Sequence, residues 1–312
     1  MPIKFFNQLE KPFMAAWHAW VHGVGNEQKH AHEDFGAMNT IEHNTNSAQN
    51  MNLKDLYLIT LRDCLTGEAA RDSVALPYWP LRRFLGLVFP NLTIGRKRVV
   101  RNGVPQSWPL HAPAMGGAAH MEKFKFCIES ALQENIPGSI VECGVWRGGT
   151  SIFGAAVLKA NGASRKVYIC DSFAGLPKGK ASEDLGNNWH QLGDFLAVSL
   201  EDVQDNFRRH HLLDANIEFV KGWFCDTLPK FDDKIAVLRA DGDMYESTMD
   251  ILVNLYPKVS PGGYVIIDDY SIAACRAAVT GYLKSKNLNP QMFDVCGTNP
   301  AGEQISVYFR KE

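Results

Sequence analysis

Hydrophobic and polar positions change rhythm twice along the 312-residue chain. Residues 1–50 are rich in His, Asn and Gln and hold no sustained period. Within them Phe13 to Val24, with Trp17, His18, Trp20 and His22, reads as a short amphipathic helix packed on the main body rather than lying on a membrane. From Met51 the pattern becomes helical: Leu53, Leu56, Tyr57, Leu58, Leu61 and Leu65 recur at helical spacing, and Gly67 follows as a stop signal. Residues 73–118 carry many Pro, Gly and Trp, and read as an irregular cover with short helices. A helix with Phe124, Cys127, Ile128 and Leu132 on one face then leads into Pro137-Gly138.

Beyond Gly138, strands and helices alternate. Short runs rich in Val and Ile at Ser139–Cys143, Val167–Cys170, Ile217–Val220, Ile235–Leu238 and Tyr264–Ile267 suit buried parallel strands. Helical segments fall between and after them at about 149–161, 199–212, 246–257 and 271–284. Two more strands, near 291–296 and 304–309, are joined by so short a link that they must be antiparallel. The expected architecture is an α/β doubly wound sheet closed by an antiparallel hairpin and preceded by a mainly helical segment. The chain divides into an extension (1–50), a helical cover (51–137) and the sheet domain (138–312).

Composition narrows the function. With 46% hydrophobic and 21% charged residues the chain is ordinary globular protein. A formal charge of -2 gives no general attraction to nucleic acid or acidic membranes, and Arg96-Lys97-Arg98 is too short to change that. No apolar run is long enough to span a bilayer, and no secretory signal is evident. Seven scattered cysteines without a CxxC pair read as small core residues in a reducing cytoplasm.

The first candidate chemistry lies after the first sheet strand, in Glu142-Cys-Gly144-Val-Trp146-Arg-Gly148-Gly149-Thr150-Ser151. Glycines let a ligand approach the backbone closely, and Thr150 or Ser151 is placed to cap the next helix. The spacing is not that of dinucleotide binders, and the lysine of a phosphate loop is missing. Glu142 would repel a pyrophosphate but suits an ammonium or hydroxyls, which favours S-adenosylmethionine. Asp171 ends the second strand, where a carboxylate can take both ribose hydroxyls or cap a turn. After the third strand, Gly222-Trp223 is a candidate for the adenine side of the cleft, with core packing as the other use of Trp223.

The second lies at the ends of strands four and five, expected to be neighbours. Asp241-Gly-Asp243 and Asp268-Asp269 crowd up to four carboxylates at one edge. Like charges so close raise one another's pKa unless a cation neutralises them, and Mg²⁺ with oxygen ligands fits. Capping by Asp268 or Asp269 is the competing use. An ion there would lower the pKa of an acceptor hydroxyl and hold it in line with a sulfonium methyl. His190, in the polar loop Asn187-Asn-Trp-His190, is a candidate general base.

Taken together these blocks resemble the macrocin O-methyltransferase family, which methylates deoxysugar hydroxyls on macrolides. The resemblance rests on Glu142–Gly149, Asp171-Ser-Phe-Ala-Gly-Leu-Pro177, Gly222–Pro229, Leu238–Thr248 and Pro261–Tyr270, with weaker matches back to Asp55. It implies a class I methyltransferase fold and Mg²⁺ on Asp241, Asp268 and Asp269. It implies a cofactor site on Met115, the Glu142–Thr150 turn, Asp171 and Ser172, a loop histidine as base, and Asp241 at the catalytic centre. Tyr57, on a helix that also serves an oligomer contact, and Tyr270 are the candidate acceptor residues. The expected reaction is Mg²⁺-dependent methyl transfer to a sugar hydroxyl by a cytoplasmic homo-oligomer. A catechol-like or other small hydroxyl, or a non-catalytic cofactor-binding homologue, are the alternatives.

Overall fold

The computed structural model describes residues 52–68, 98–101, 104–107, 109, 111–186, 190 and 193–312. The candidate helix at Phe13–Val24, most of the 73–118 cover and Asn187–Trp189 fall outside them. Residues Asn52–Glu312 form one compact unit. In chain order its elements are α1 (Leu53–Thr66), β1 (Arg98–Arg101), β2 (Val104–Ser107), α2 (Ala118–Gln133), β3 (Ser139–Cys143), α3 (Gly149–Ala160), β4 (Val167–Asp171), α4 (Gly193–Leu196), α5 (Leu200–Arg209), β5 (Ile217–Lys221), α6 (Phe224–Thr227), β6 (Ile235–Ala240), α7 (Tyr245–Leu255), β7 (Val259–Ile267), α8 (Ala273–Ser285), β8 (Phe293–Asp294) and β9 (Val307–Arg310).

A seven-stranded sheet runs in the order β5-β4-β3-β6-β7-β9-β8. The five strands β3 to β7 are parallel, and β9 joins β7 antiparallel. The strand order reverses direction at β3, between β4 and β6, which is where open α/β sheets take their ligands. The antiparallel β8–β9 pair is as the spacing requires, although β8 is only Phe293–Asp294.

Strand alternation sorts the core. Ile140, Ile169, Val237 and Ile266 pack with Phe124 and Ile128 of α2, Ile152 and Phe153 of α3 and Phe207 of α5. Val141, Cys143, Leu238, Val265 and Ile267 pack with Leu252 and Leu255 of α7 and Val279 and Tyr282 of α8. Both sheet faces are therefore covered, which explains the nearly continuous apolar runs. Helix α1 begins on Asn52, whose side chain accepts the Asp55 N–H at 2.9 Å, and stops at Gly67 with φ 79°.

The cover holds a difference from expectation. Arg98–Arg101 and Val104–Ser107 pair as an antiparallel ribbon rather than forming short helices. The sequence signal is Asn102-Gly103 between two β-prone runs, a strong hairpin link that the Pro/Gly content of the region obscured. Among the described residues no helix is long and apolar enough to cross a membrane. Of the seven cysteines, all free, Cys127, Cys143, Cys170 and Cys275 are buried.

Candidate active site

A cavity of about 860 Å³ opens at the carboxyl ends of the parallel strands. Its wall includes Met115, Glu142, Gly144, Trp146, Thr150, Asp171, Asp241, Asp268 and Asp269. The glycine turn and the paired acids thus face one space. Gly148, Gly149, Ser172, Gly222, Trp223, Tyr57, Tyr270 and His190 are not on that wall.

The turn after β3 is shaped by contact with β6. Gly144 has φ 85°, and a Cβ there would lie 1.9 Å from the Asp241 carbonyl oxygen. Only glycine lets the two strand ends sit this close. Gly149 fits under the 113–114 backbone, where its N–H donates to the Pro113 carbonyl at 3.1 Å. Arg147 donates to the Pro109 and Ala112 carbonyls, and that tie brings Met115 over the cavity. Helix α3 starts after Gly148 with no side-chain cap. Thr150 and Ser151 are therefore not its cap, because Ser151 turns its hydroxyl inward to donate to Glu142.

Asp171 performs the turn-holding part of its expected role. Its oxygens accept the backbone N–H groups of Val145 and Phe173, each at 2.8 Å. Burial pushes its carboxyl up from the usual value, and those N–H groups oppose the rise. Ser172 donates to the Gly175 carbonyl at 2.8 Å, steadying the loop that follows. Trp223 is 39% exposed, so core packing does not describe it. Gly222 sits beside Asp171, donating to its carbonyl at 2.9 Å.

Arg239, which the sequence reading passed over, organises the acids. It is buried in β6 and its guanidinium donates to Glu142 at 2.6 Å and to Asp241 at 2.9 Å. Its other nitrogen lies 2.7 Å from Asp268. Burial pulls the guanidinium down, but the charges of Asp268, Asp241 and Glu142 outweigh it and hold it well above its usual value. Glu142 itself is raised by burial, against the pull of Arg239 and Ser151. Both its oxygens are engaged by these two residues before any ligand arrives.

The carboxylates of Asp241, Asp243 and Asp269 offer oxygens within 4.8 Å of one another. Asp268 instead faces Arg239, with His120 Nε2 3.8 Å away. Helix α8 begins after Ile272 without a side-chain cap, so neither Asp268 nor Asp269 caps it. Burial lifts the Asp241 carboxyl well above the carboxylate range, and the charges of Asp268 and Asp269 add to the rise. An all-oxygen donor set under mutual repulsion fits a hard divalent cation.

His120, also unforeseen, pairs with Ser306 at 3.1 Å, and Ser306 donates to the Asp268 carbonyl. The far wall is the loop between β8 and β9, with Asn299 and Glu303 facing Arg276 of α8. His190 Nδ1 is buried and has no hydrogen-bond partner among the described residues. Tyr57 stands 45% exposed on α1, and the Tyr270 carbonyl accepts from Arg276 at 3.5 Å.

Comparison with known proteins decides the family. The family model described as macrocin-O-methyltransferase (TylF) matches residues 54–311. The chain belongs to this family. A Streptomyces olivaceus protein named 8-demethyl-8-(2,3-dimethoxy-alpha-L-rhamnosyl)-tetracenomycin-C 4'-O-methyltransferase is 41% identical over 78% of this chain and 91% of its own. Demethyldecarbamoylnovobiocin O-methyltransferase of Streptomyces niveus is 46% identical over 57% and 70%. The solved structure of the O-methyltransferase NovP is 35% identical, with a TM-score of 0.69 over 83% of this chain and 99% of that one. The fold is the class I methyltransferase fold, and the protein is an O-methyltransferase.

Proposed function

We propose that the enzyme transfers the methyl group of S-adenosylmethionine to a sugar hydroxyl, with a divalent cation such as Mg²⁺ at the ends of β6 and β7. The observation that carries this reading is one cavity shared by the glycine turn, Asp171 and the crowded acids. The rhamnosyl group in one relative's name supports a sugar as acceptor.

The Gly144, Gly148 and Gly149 turn, with Trp146, Thr150 and Met115, cradles the cofactor, and Asp171 and Ser172 stand at its ribose end. Gly222 and Trp223 remain the proposed adenine side. Glu142 acts through Arg239 and Ser151, keeping the floor of the cofactor site in place. Asp241 and Asp269 hold the cation, with Asp268 as the third ligand that the family pattern implies. That role requires Asp268 to share itself with Arg239, and Asp243 is the neighbouring acid able to assist. The bound cation would supply Lewis acidity, lowering the pKa of the acceptor hydroxyl.

The acceptor oxygen forms a bond to the methyl carbon as the carbon–sulfur bond breaks, S-adenosylhomocysteine leaves, and the hydroxyl proton passes to a base. His190 is the proposed base, supported by a buried ring nitrogen with no hydrogen-bond partner among the described residues. Tyr57 and Tyr270 are proposed acceptor contacts. Exposed Leu53, Leu56 and Tyr57 on α1 support a homo-oligomer contact, and the free thiols support the cytoplasm.

The test is incubation of the full chain with S-adenosylmethionine, Mg²⁺ and a panel of rhamnosides, free, aglycone-linked and nucleotide-linked, beside simple catechols, with products read by mass spectrometry. Methylation of a panel member, lost in EDTA and in Asp241→Asn, is expected. Methylation of simple catechols alone would sink the sugar reading, and full activity in EDTA would sink the cation.

A further inference from the structure

The cavity has two ends, set by strand order. Asp171 on β4 and the turn after β3 mark one end, and the acids after β7 mark the other. Beyond those acids the wall is a charged pair: Arg276 Nη2 lies 2.9 Å from Glu303. Both residues line the cavity, and their side chains are 33% and 40% exposed. Each is tied closely to the acid pair. Ile272 donates to the Asp269 carbonyl at 2.8 Å, and Arg276 donates to the Ile272 carbonyl at 2.8 Å one helical turn on. On the other side, Ser271 donates to the Ile305 carbonyl at 3.1 Å and Ser306 donates to the Asp268 carbonyl.

The loop carrying Glu303 is pre-shaped. Asn299 Oδ1 accepts the backbone N–H groups of Ala301 and Glu303, each at 3.0 Å, and its amide donates to Glu303 Oε2 at 3.0 Å. The loop so held presents the Glu303 carboxylate, and α8 the Arg276 guanidinium, beside the reacting end of the cavity. This is the chemistry that reads vicinal hydroxyls: the carboxylate accepts from one and the guanidinium donates to the next. We propose that Arg276 and Glu303 are acceptor-recognition residues, binding the ring hydroxyls that flank the one to be methylated. The proposal rests on the sugar-acceptor reading above.

Its test uses the full chain with S-adenosylmethionine, Mg²⁺ and the same rhamnoside panel, in Glu303→Gln, Arg276→Met and the exchanged double variant R276E/E303R. Each single variant should raise KM for the best rhamnoside about tenfold or more, the worth of one charge-assisted hydrogen bond. The kcat value and the affinity for S-adenosylmethionine, measured by calorimetry, should stay at wild-type level. The exchange restores the ion pair but presents each charge from the wrong side, so KM should stay high. Recovery of wild-type KM in the exchanged variant would show that the pair only holds the loop, and overturns the proposal. Unchanged KM in both single variants overturns it as well. Inactivity of the wild-type enzyme on every rhamnoside overturns the sugar-acceptor reading itself, and this inference with it.

Discussion

Glu142 and Arg239 are direct register partners on the neighbouring parallel strands β3 and β6, and their side chains meet at 2.6 Å inside the protein. A buried carboxylate and a buried guanidinium on the same sheet face offset one another, and Arg239 also pairs with Asp241 and Asp268, so three acids share one positive charge. Removing one partner leaves an uncompensated buried charge. Arg239→Met should therefore destabilise the fold by about 3–5 kcal/mol in urea unfolding. The double variant Arg239→Met/Glu142→Gln should recover part of that loss. Equal stability of Arg239→Met and wild type would mean the acids do not need this cation.

The seam between the same two strands also limits the turn. Gly144→Ala would place a methyl group 1.9 Å from the Asp241 carbonyl oxygen at a φ of 85°. The backbone must part to admit it, at a cost of about 2 kcal/mol or more. Because the displaced residue is Asp241, calorimetry should show weaker S-adenosylmethionine and Mg²⁺ binding together. Loss of cofactor affinity with metal binding intact would separate the two sites.

These two cases indicate what is legible in a sequence of this kind. Asp241, Asp268 and Asp269 are legible as a cluster because they stand at the carboxyl ends of two apolar strands, and strand adjacency follows from rules of topology. Arg239 carries a weaker signal because the apolar run ends at Leu238; only the β3–β6 register places it beside Glu142. The Ser151 hydroxyl was misread as a cap, since local spacing does not reveal a buried acid waiting across the turn. His120, Arg276 and Glu303 carry no local signal: they meet the acids only when α2, α8 and the β8–β9 loop close over the sheet. Tertiary packing decides those contacts, and periodicity does not encode them.

Glu129 on α2 links three elements and gives a pH-dependent contribution. Lys54 of α1 lies 2.8 Å from it, Lys125 lies 2.9 Å away, and Asn161 donates at 3.2 Å. Burial would raise its carboxyl, but the hydrogen bonds from Lys54, Lys125 and Asn161 outweigh burial and lower it. A lowered folded value means the stabilisation is present above the unfolded carboxylate value and is lost as pH falls through the folded one. The pair is partly exposed, so the contribution should be under about 1 kcal/mol. Glu129→Gln should be less stable than wild type at pH near 7, and the difference should vanish in acid, by urea titration at both pH values. A difference that grows in acid would reverse the assignment.

Asp269 is 5% exposed and crowded by Asp241 and Asp243, whose oxygens lie within 4.8 Å of its own. Repulsion among buried acids destabilises the protein until a cation neutralises them, so added Mg²⁺ should raise Tm in proportion to its affinity. Asp269→Asn removes one like charge and one ligand. It should match or exceed the metal-free wild type in Tm, yet gain nothing when Mg²⁺ is added. Asp241→Asn and Asp268→Asn behave differently, because Asp241 and Asp268 also balance Arg239, at 2.9 and 2.7 Å. Each should lower Tm without metal as well as blunt the response to Mg²⁺. A Tm that ignores Mg²⁺ in the wild-type protein, with S-adenosylmethionine present or absent, would mean the acids do not form a cation site.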